Sequence, residues 1–194
     1  MPRQIAVIQG HPDADNRHLC YALADAYTTA AREAGHEVSV TVLAELDFPL
    51  LRTQAEFEHG EVPPALRQAE ADIRQADHIV LVFPLWLGTM PALVKAFLEQ
   101  VMRPGTAFDY QAQGMPRQLL AGRSARIVVT MGMPVLAYRW WFFAHGLRGL
   151  ERNVLRFVGI KPIRESLFGM VGSANEATRR RWLEQMRRAG KDGI

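Results

Sequence analysis

The chain has 194 residues, 48% of them hydrophobic and 22% charged. That is the composition of one ordinary globular domain, large enough to hold a core without disulfide or metal staples. The single cysteine, Cys20, excludes an internal disulfide and a multi-cysteine metal site, and it points to a reducing cytoplasm. The longest uncharged run, 79–94, is 16 residues broken by two prolines and a glycine, short of the roughly 20 apolar residues that span a bilayer.

The opening MPRQ leads straight into an apolar run, so no secretory leader is expected. The net charge of +3 hides an asymmetry. Residues 1–113 carry 8 basic against 15 acidic side chains, and residues 114–194 carry 15 against 5. An acidic front and a basic back are compatible with an anionic partner or with solvated helix faces; no nucleic-acid motif accompanies them.

In chain order, Ile5-Ala6-Val7-Ile8 reads as a strand buried on both faces. Leu19, Leu23, Ala26, Tyr27 and Ala30 recur at helical spacing, and Gly35 stands where a left-handed cap ends the helix. Val38 to Leu43 predicts a second strand, and Pro63-Pro64 opens a helix over Leu66, Ala69 and Ile73. Ile79 to Phe83 is the central strand, and Pro91 starts a helix with Leu93, Val94, Phe97, Leu98 and Val101 inside. Ile127 to Val129 is a fourth strand, followed by one long helix from Tyr138 to Phe157 closed by Gly159. A fifth strand falls near Ser166 to Val171. Ser173-Ala-Asn-Glu176 then forms a capping box for the last helix. Five strands alternating with five helices imply a parallel sheet covered on both faces.

Three segments follow carboxyl ends of strands, where such sheets bind ligands. The first is Gly10 to His18, a polar turn into a helix start, which suits an anion or simply caps the helix. The second, Phe83 to Ala92, sets Trp86 and Gly88 between two prolines and suits a planar ring or a buried connection. The third, Thr130 to Tyr138, runs into Arg139-Trp140-Trp141-Phe142-Phe143. No G-x-G-x-x-G or G-x-x-x-x-G-K-[ST] motif is present, and no Ser/His/Asp, Cys/His or H-E-x-x-H constellation appears.

Together, IQGHPDADNRH, FPLWLGTMPALVKAFLEQV and TMGMPVLAY resemble the NAD(P)H:quinone oxidoreductases of the flavodoxin-like superfamily, a group that includes ancillary proteins of glutathione-gated potassium efflux. The similarity covers essentially the whole chain. It implies an α/β, three-layer flavodoxin-like sandwich, a single domain over 1–194, with five parallel strands in the order 2-1-3-4-5. It implies a flavin, FAD or FMN, with His11, Asn16, Arg17 and His18 at its phosphate. Pro84, Leu85, Trp86, Leu87 and Gly88 would line the ring, and Thr130, Gly132 and Tyr138 would close its pyrimidine end. The implied reaction is ping-pong hydride transfer from NAD(P)H to a quinone or similar acceptor, with Tyr138 and His145 as catalytic residues.

The resemblance further implies a homodimer in which Phe108 and Tyr110 roof the neighbouring subunit's site. Three features depart from the family: Asn16 and Arg17 stand where many relatives carry Ser and Phe, Leu87 and Gly88 replace a Trp-Phe pair at the tip of the second loop, and His145 lies about one residue from the family's histidine. A different class of role, a regulatory flavoprotein subunit docked on a membrane transporter, would use the aromatic segment 138–143 and the basic back half. A one-electron flavodoxin carrier fits least, because its first loop would be rich in Thr and Ser and the chain acidic.

Overall fold

The computed structural model describes all residues 1–194. Its main sheet has five parallel strands: β1 (Gln4–Gln9), β2 (Glu37–Val42), β3 (His78–Pro84), β6 (Ser124–Thr130) and β7 (Ile163–Phe168). They lie in the order β2-β1-β3-β6-β7, so the chain runs outward from β1, returns across it, and continues to the far edge. The switch point between β1 and β3 opens the crevice where ligands of doubly wound sheets sit. Every residue of β3 is buried, as expected for a central strand with helices on both faces.

One face carries α1 (Leu19–Glu33) and α6 (Glu176–Lys191), which pack over Ile5, Val7, Val80, Val82 and Val128. The other carries α3 (Arg67–Gln75), α4 (Ala92–Val101) and the segment 137–158, over Ile8, Leu81, Phe83, Ile127 and Val129. Alternate residues of each strand feed opposite cores, which is the period-2 geometry of a strand. Each fully buried Leu, Ile, Val or Phe contributes about 1.5–3 kcal/mol of transfer free energy. Gly35 takes φ +86° just past α1, and His36 N–H closes back on Ala31 O at 3.0 Å, as a left-handed terminator requires.

Several expected boundaries shift. The long loop before Glu61 contains a short helix, α2 (Gln54–His59), capped by Thr53. The loop 102–123 contains a small antiparallel pair, β4 (Phe108–Asp109) with β5 (Arg117–Gln118). The fifth strand begins at Ile163 and ends at Phe168, three residues earlier than Val171. The cap of α6 is Asn175, whose side chain accepts from Thr178 N–H at 2.9 Å, whereas Ser173 Oγ bonds Met170 O. The single helix expected over 138–157 is three pieces: a wide π-type turn (Ala137–Trp141), α5 (His145–Gly149) and a second π-type stretch (Leu150–Leu155). It breaks at Phe143 and Ala144, both left-handed at φ +52° and +48°.

Candidate active site

The first loop leaves β1 through Gly10, whose N–H donates to Val82 O at 2.7 Å and so ties the turn to the central strand. Gln9, buried at the end of β1, turns its Oε1 to the His11 N–H at 2.5 Å, while its Nε2 has no partner. His11 Nδ1 lies 3.1 Å from Asp13 N and 3.2 Å from Asp13 O, which pins the ring to the Asp13 backbone through that nitrogen and leaves Nε2 for a ligand. The His11 ring stacks on His18 at 3.9 Å. Burial, then the neighbouring His18, holds the His11 pKa below the ordinary imidazole value, so the ring is neutral at pH 7.

His18 sits at the start of α1 and makes no side-chain cap, and the first turn carries no acidic residue. The positive end of the helix dipole is therefore open toward this loop. The loop is held largely by its own charges. His18 Nε2 meets Asp13 Oδ2 at 2.9 Å, and Arg17 lies against Asp15 at 2.5 Å with its guanidinium almost wholly exposed. Hydrogen bonds from the Asp15 N–H and from His18 lower the Asp13 pKa, and those from Arg17 lower that of Asp15. Asn16 is exposed beside them.

The second loop is a tight hairpin. Trp86 and Thr89 exchange backbone hydrogen bonds of 2.9 and 3.0 Å around Leu87 and Gly88, which have φ of +47° and +81°. Two left-handed central residues make a type I′ turn. Leu87 at its tip is wholly exposed. Leu85 N–H donates to Thr130 O at 2.8 Å, fastening the hairpin to the end of β6.

A cleft of about 220 Å³ opens between these loops. His11 and His18 form one wall, Pro84, Leu85 and Trp86 another, and Thr130 with Gly132 the floor. Seven of the expected site residues thus converge. Leu19, Cys20, Met131 and Val171 complete the lining and were not expected at the site from the sequence. Val171 carries only a positional signal, three residues past the end of β7. The Cys20 thiol lies 3.2 Å from Thr130 Oγ1, and burial pushes its pKa to about 11.

Other expectations are corrected. Tyr138 lies behind the hairpin, almost wholly buried, and does not face the cleft. Its hydroxyl donates to Gly88 O and accepts from Leu147 N–H, both at 3.2 Å. Its only proton is therefore committed to the backbone, and burial raises its pKa. In this position Tyr138 braces the hairpin against α5. Gly146 abuts the same turn: a Cβ there would stand 2.4 Å from Gly88 O. His145 is exposed at the rim, its ring 5.8 Å from Phe143, and does not line the cleft. Phe108 is buried against Phe157 of its own chain and cannot roof a neighbour; Tyr110 beside it is exposed.

A family model described as "Flavodoxin-like fold" matches residues 3–189. The chain belongs to this flavodoxin-like family. Among curated relatives, an uncharacterized NAD(P)H oxidoreductase of Haemophilus influenzae is 27% identical over 92% of this chain and 89% of its own. An FMN-dependent NADH:quinone oxidoreductase of Nitratidesulfovibrio vulgaris is 29% identical over 95% and 96%. An NAD(P)H:quinone oxidoreductase structure from Methanothermobacter marburgensis superposes with a TM-score of 0.83 at 23% identity, each chain covered in full, which supports the fold. For a flavodoxin-like protein, the cleft occupies the expected end of the sheet: the carboxyl ends of β1, β3 and β6.

Proposed function

We propose that this protein is a flavin-dependent NAD(P)H oxidoreductase that reduces quinones or similar two-electron acceptors. The observation that carries the reading is the convergence, in one cleft, of an uncapped helix start beside His11 and His18 with an apolar wall and a Thr130–Gly132 floor. These residues suit a flavin phosphate at one end and a flat ring at the other. Similar relatives named for FMN favour FMN over FAD. When bound, the flavin supplies the redox chemistry, taking hydride from NAD(P)H and giving it to the acceptor.

The chain's own residues bind and orient. Arg17, freed from Asp15, would neutralise phosphate charge, with the His11 ring and the α1 amides beside it as hydrogen-bond partners. Pro84, Leu85 and Trp86 exclude water from one side of the ring site. The backbone N–H groups of Met131 and Val171 are spoken for by Phe168 O and Met131 O, so the floor offers Thr130 and Gly132 as the adaptable part. We further assign the chain to a homodimer, with exposed Tyr110 as the residue that reaches a neighbouring site.

Flavin titration tests the phosphate assignment. FMN should bind at least ~10-fold more tightly than riboflavin, and Arg17→Ala should erase most of that difference while leaving riboflavin affinity unchanged. Equal affinities for FMN and riboflavin in the wild type overturn the assignment. Absence of quinone-dependent NAD(P)H oxidation by the FMN-loaded protein overturns the activity.

A further inference from the structure

Six buried side-chain polar atoms have no hydrogen-bond partner: Gln9 Nε2, Tyr27 Oη, Thr28 Oγ1, His78 Nε2, Arg103 Nε and Arg123 Nε. Five of them belong to the amino-terminal side of the sheet. Tyr27 and Thr28 lie in the second half of α1, His78 opens β3, Arg103 follows α4 and Arg123 precedes β6. Gln9 alone stands at the carboxyl ends, where it closes β1 and leads through Gly10 into the first loop. A buried amide nitrogen without an acceptor costs stability, so its presence beside a ligand cleft calls for a reason.

The geometry narrows that reason. Gln9 takes the same face of β1 as Ile5 and Val7, the face that α1 covers, and it is 1% exposed. An apolar side chain there would bury no polar group. Instead, Oε1 reaches past the strand end to the His11 N–H at 2.5 Å. The carboxamide therefore lies in the turn between β1 and α1. Nε2, the other arm of the same plane, lies there with both N–H groups unpaired. The turn is fixed against the central strand: Gly10 N–H donates to Val82 O, and a Cβ on Gly10 would stand 2.7 Å from Val94 Cγ2. Beyond the turn, the 15-residue α1 begins with no side-chain cap and no acidic residue in its first turn.

Donors thus converge here, and the acceptors they meet are the loop's own carboxylates. Asp13 sits on His18 Nε2 at 2.9 Å and Asp15 on Arg17 at 2.5 Å. Both pairs lie at the surface, where such contacts are weak and a doubly charged phosphate can displace them. Neither carboxylate reaches Gln9 Nε2.

We propose that the Gln9 carboxamide is the floor of an anion site at the start of α1. Oε1 positions the His11 main chain, and Nε2–H donates to a phosphate monoester that displaces the loop carboxylates. The donor that folding leaves unpaired is then paired by the ligand. Only the identity of the phosphate's carrier rests on the proposed flavin reading; the anion site does not.

The test combines two probes with two variants. Inorganic phosphate, compared with chloride at equal ionic strength, should raise the thermal unfolding midpoint of the wild-type chain. Gln9→Glu keeps an acceptor for the His11 N–H and replaces the free N–H groups with oxygen. It should abolish that rise and weaken FMN binding at least ~10-fold, with riboflavin affinity within ~2-fold of wild type. Gln9→Met brings no charge into the core and should lower the preference for FMN over riboflavin by roughly 3- to 10-fold. It keeps the proposal testable if the glutamate variant folds poorly. A purely structural role would lower FMN and riboflavin affinity together, and that result overturns the proposal. So does phosphate protection that survives in Gln9→Glu, or an FMN preference that survives in Gln9→Met. A wild type that neither gains stability from phosphate nor prefers FMN overturns it as well. Protection by phosphate that depends on Gln9, without any preference for FMN, supports the site and removes the flavin from it. An FMN preference lost in Gln9→Glu, without protection by free phosphate, assigns the site to the ester.

Discussion

The two ends of the sheet treat histidine in opposite ways. At the carboxyl ends, His11 stacks on His18, keeps Nδ1 for the Asp13 backbone and leaves Nε2 unclaimed by the loop. At the amino ends, His78 opens β3 with no exposed surface, its Nδ1 2.8 Å from Ser124 Oγ and its Nε2 without a partner. Tyr27 stacks on it at 6.5 Å, and the Tyr27 hydroxyl is also unpartnered. Burial, then Arg126 and Arg3, push the His78 pKa down to about 3. One end thus keeps polar groups within reach of a ligand. The other has locked them inside the fold at a cost in stability.

The largest effect should come from pH. Unfolded His78 takes a proton near its ordinary value of 6.5, which folded His78 refuses until about pH 3. Stability is therefore complete above pH 6.5 and falls as pH drops through that window, by up to ~1.4 kcal/mol per pH unit. Urea unfolding curves of His78→Asn should be flatter than wild type between pH 6 and 4, and parallel curves would show that the amino end does not carry this cost.

At the cleft end, shape should matter more than charge. Gly146→Ala forces a Cβ onto Gly88 O, for which we expect a loss of about 2–3 kcal/mol in chemical denaturation and a weaker flavin complex. A stability unchanged within error would mean that α5 and the hairpin move independently.

Tyr138→Phe sharpens the comparison further. It leaves Gly88 O and Leu147 N–H unmatched at a cost of about 1–2 kcal/mol. Turnover should stay within a few fold of wild type. A collapse of kcat with stability intact would restore Tyr138 to the chemistry.

The parallel core and the three loops were legible because their signals are local. Ile5 to Ile8 and Ile79 to Phe83 are continuous apolar runs, and His11, Trp86 and Gly132 follow strand ends directly. The break at Phe143–Ala144 was not, since neither residue type favours a left-handed backbone; the turn is imposed by packing of Tyr138 and Gly146 against the hairpin. Two cap-forming residues two positions apart, Ser173 and Asn175, made the start of α6 ambiguous by local rules. Phe108 misled for a third reason. Its neighbours Asp109 and Tyr110 are polar or exposed, and contacts from far along the chain, Phe157 among them, help to bury it. The ion pair of Arg17 with Asp15 is likewise a choice among several close charges that spacing does not decide.

Cys20 bears on how such a protein would endure its own substrates. Quinones are electrophiles that add to thiolates, and this chain has its one sulfhydryl in the cleft wall. With a pKa of about 11 and Thr130 beside it, that sulfur stays protonated and unreactive at neutral pH. A catalyst that handled arylating molecules would thereby be spared alkylation from within.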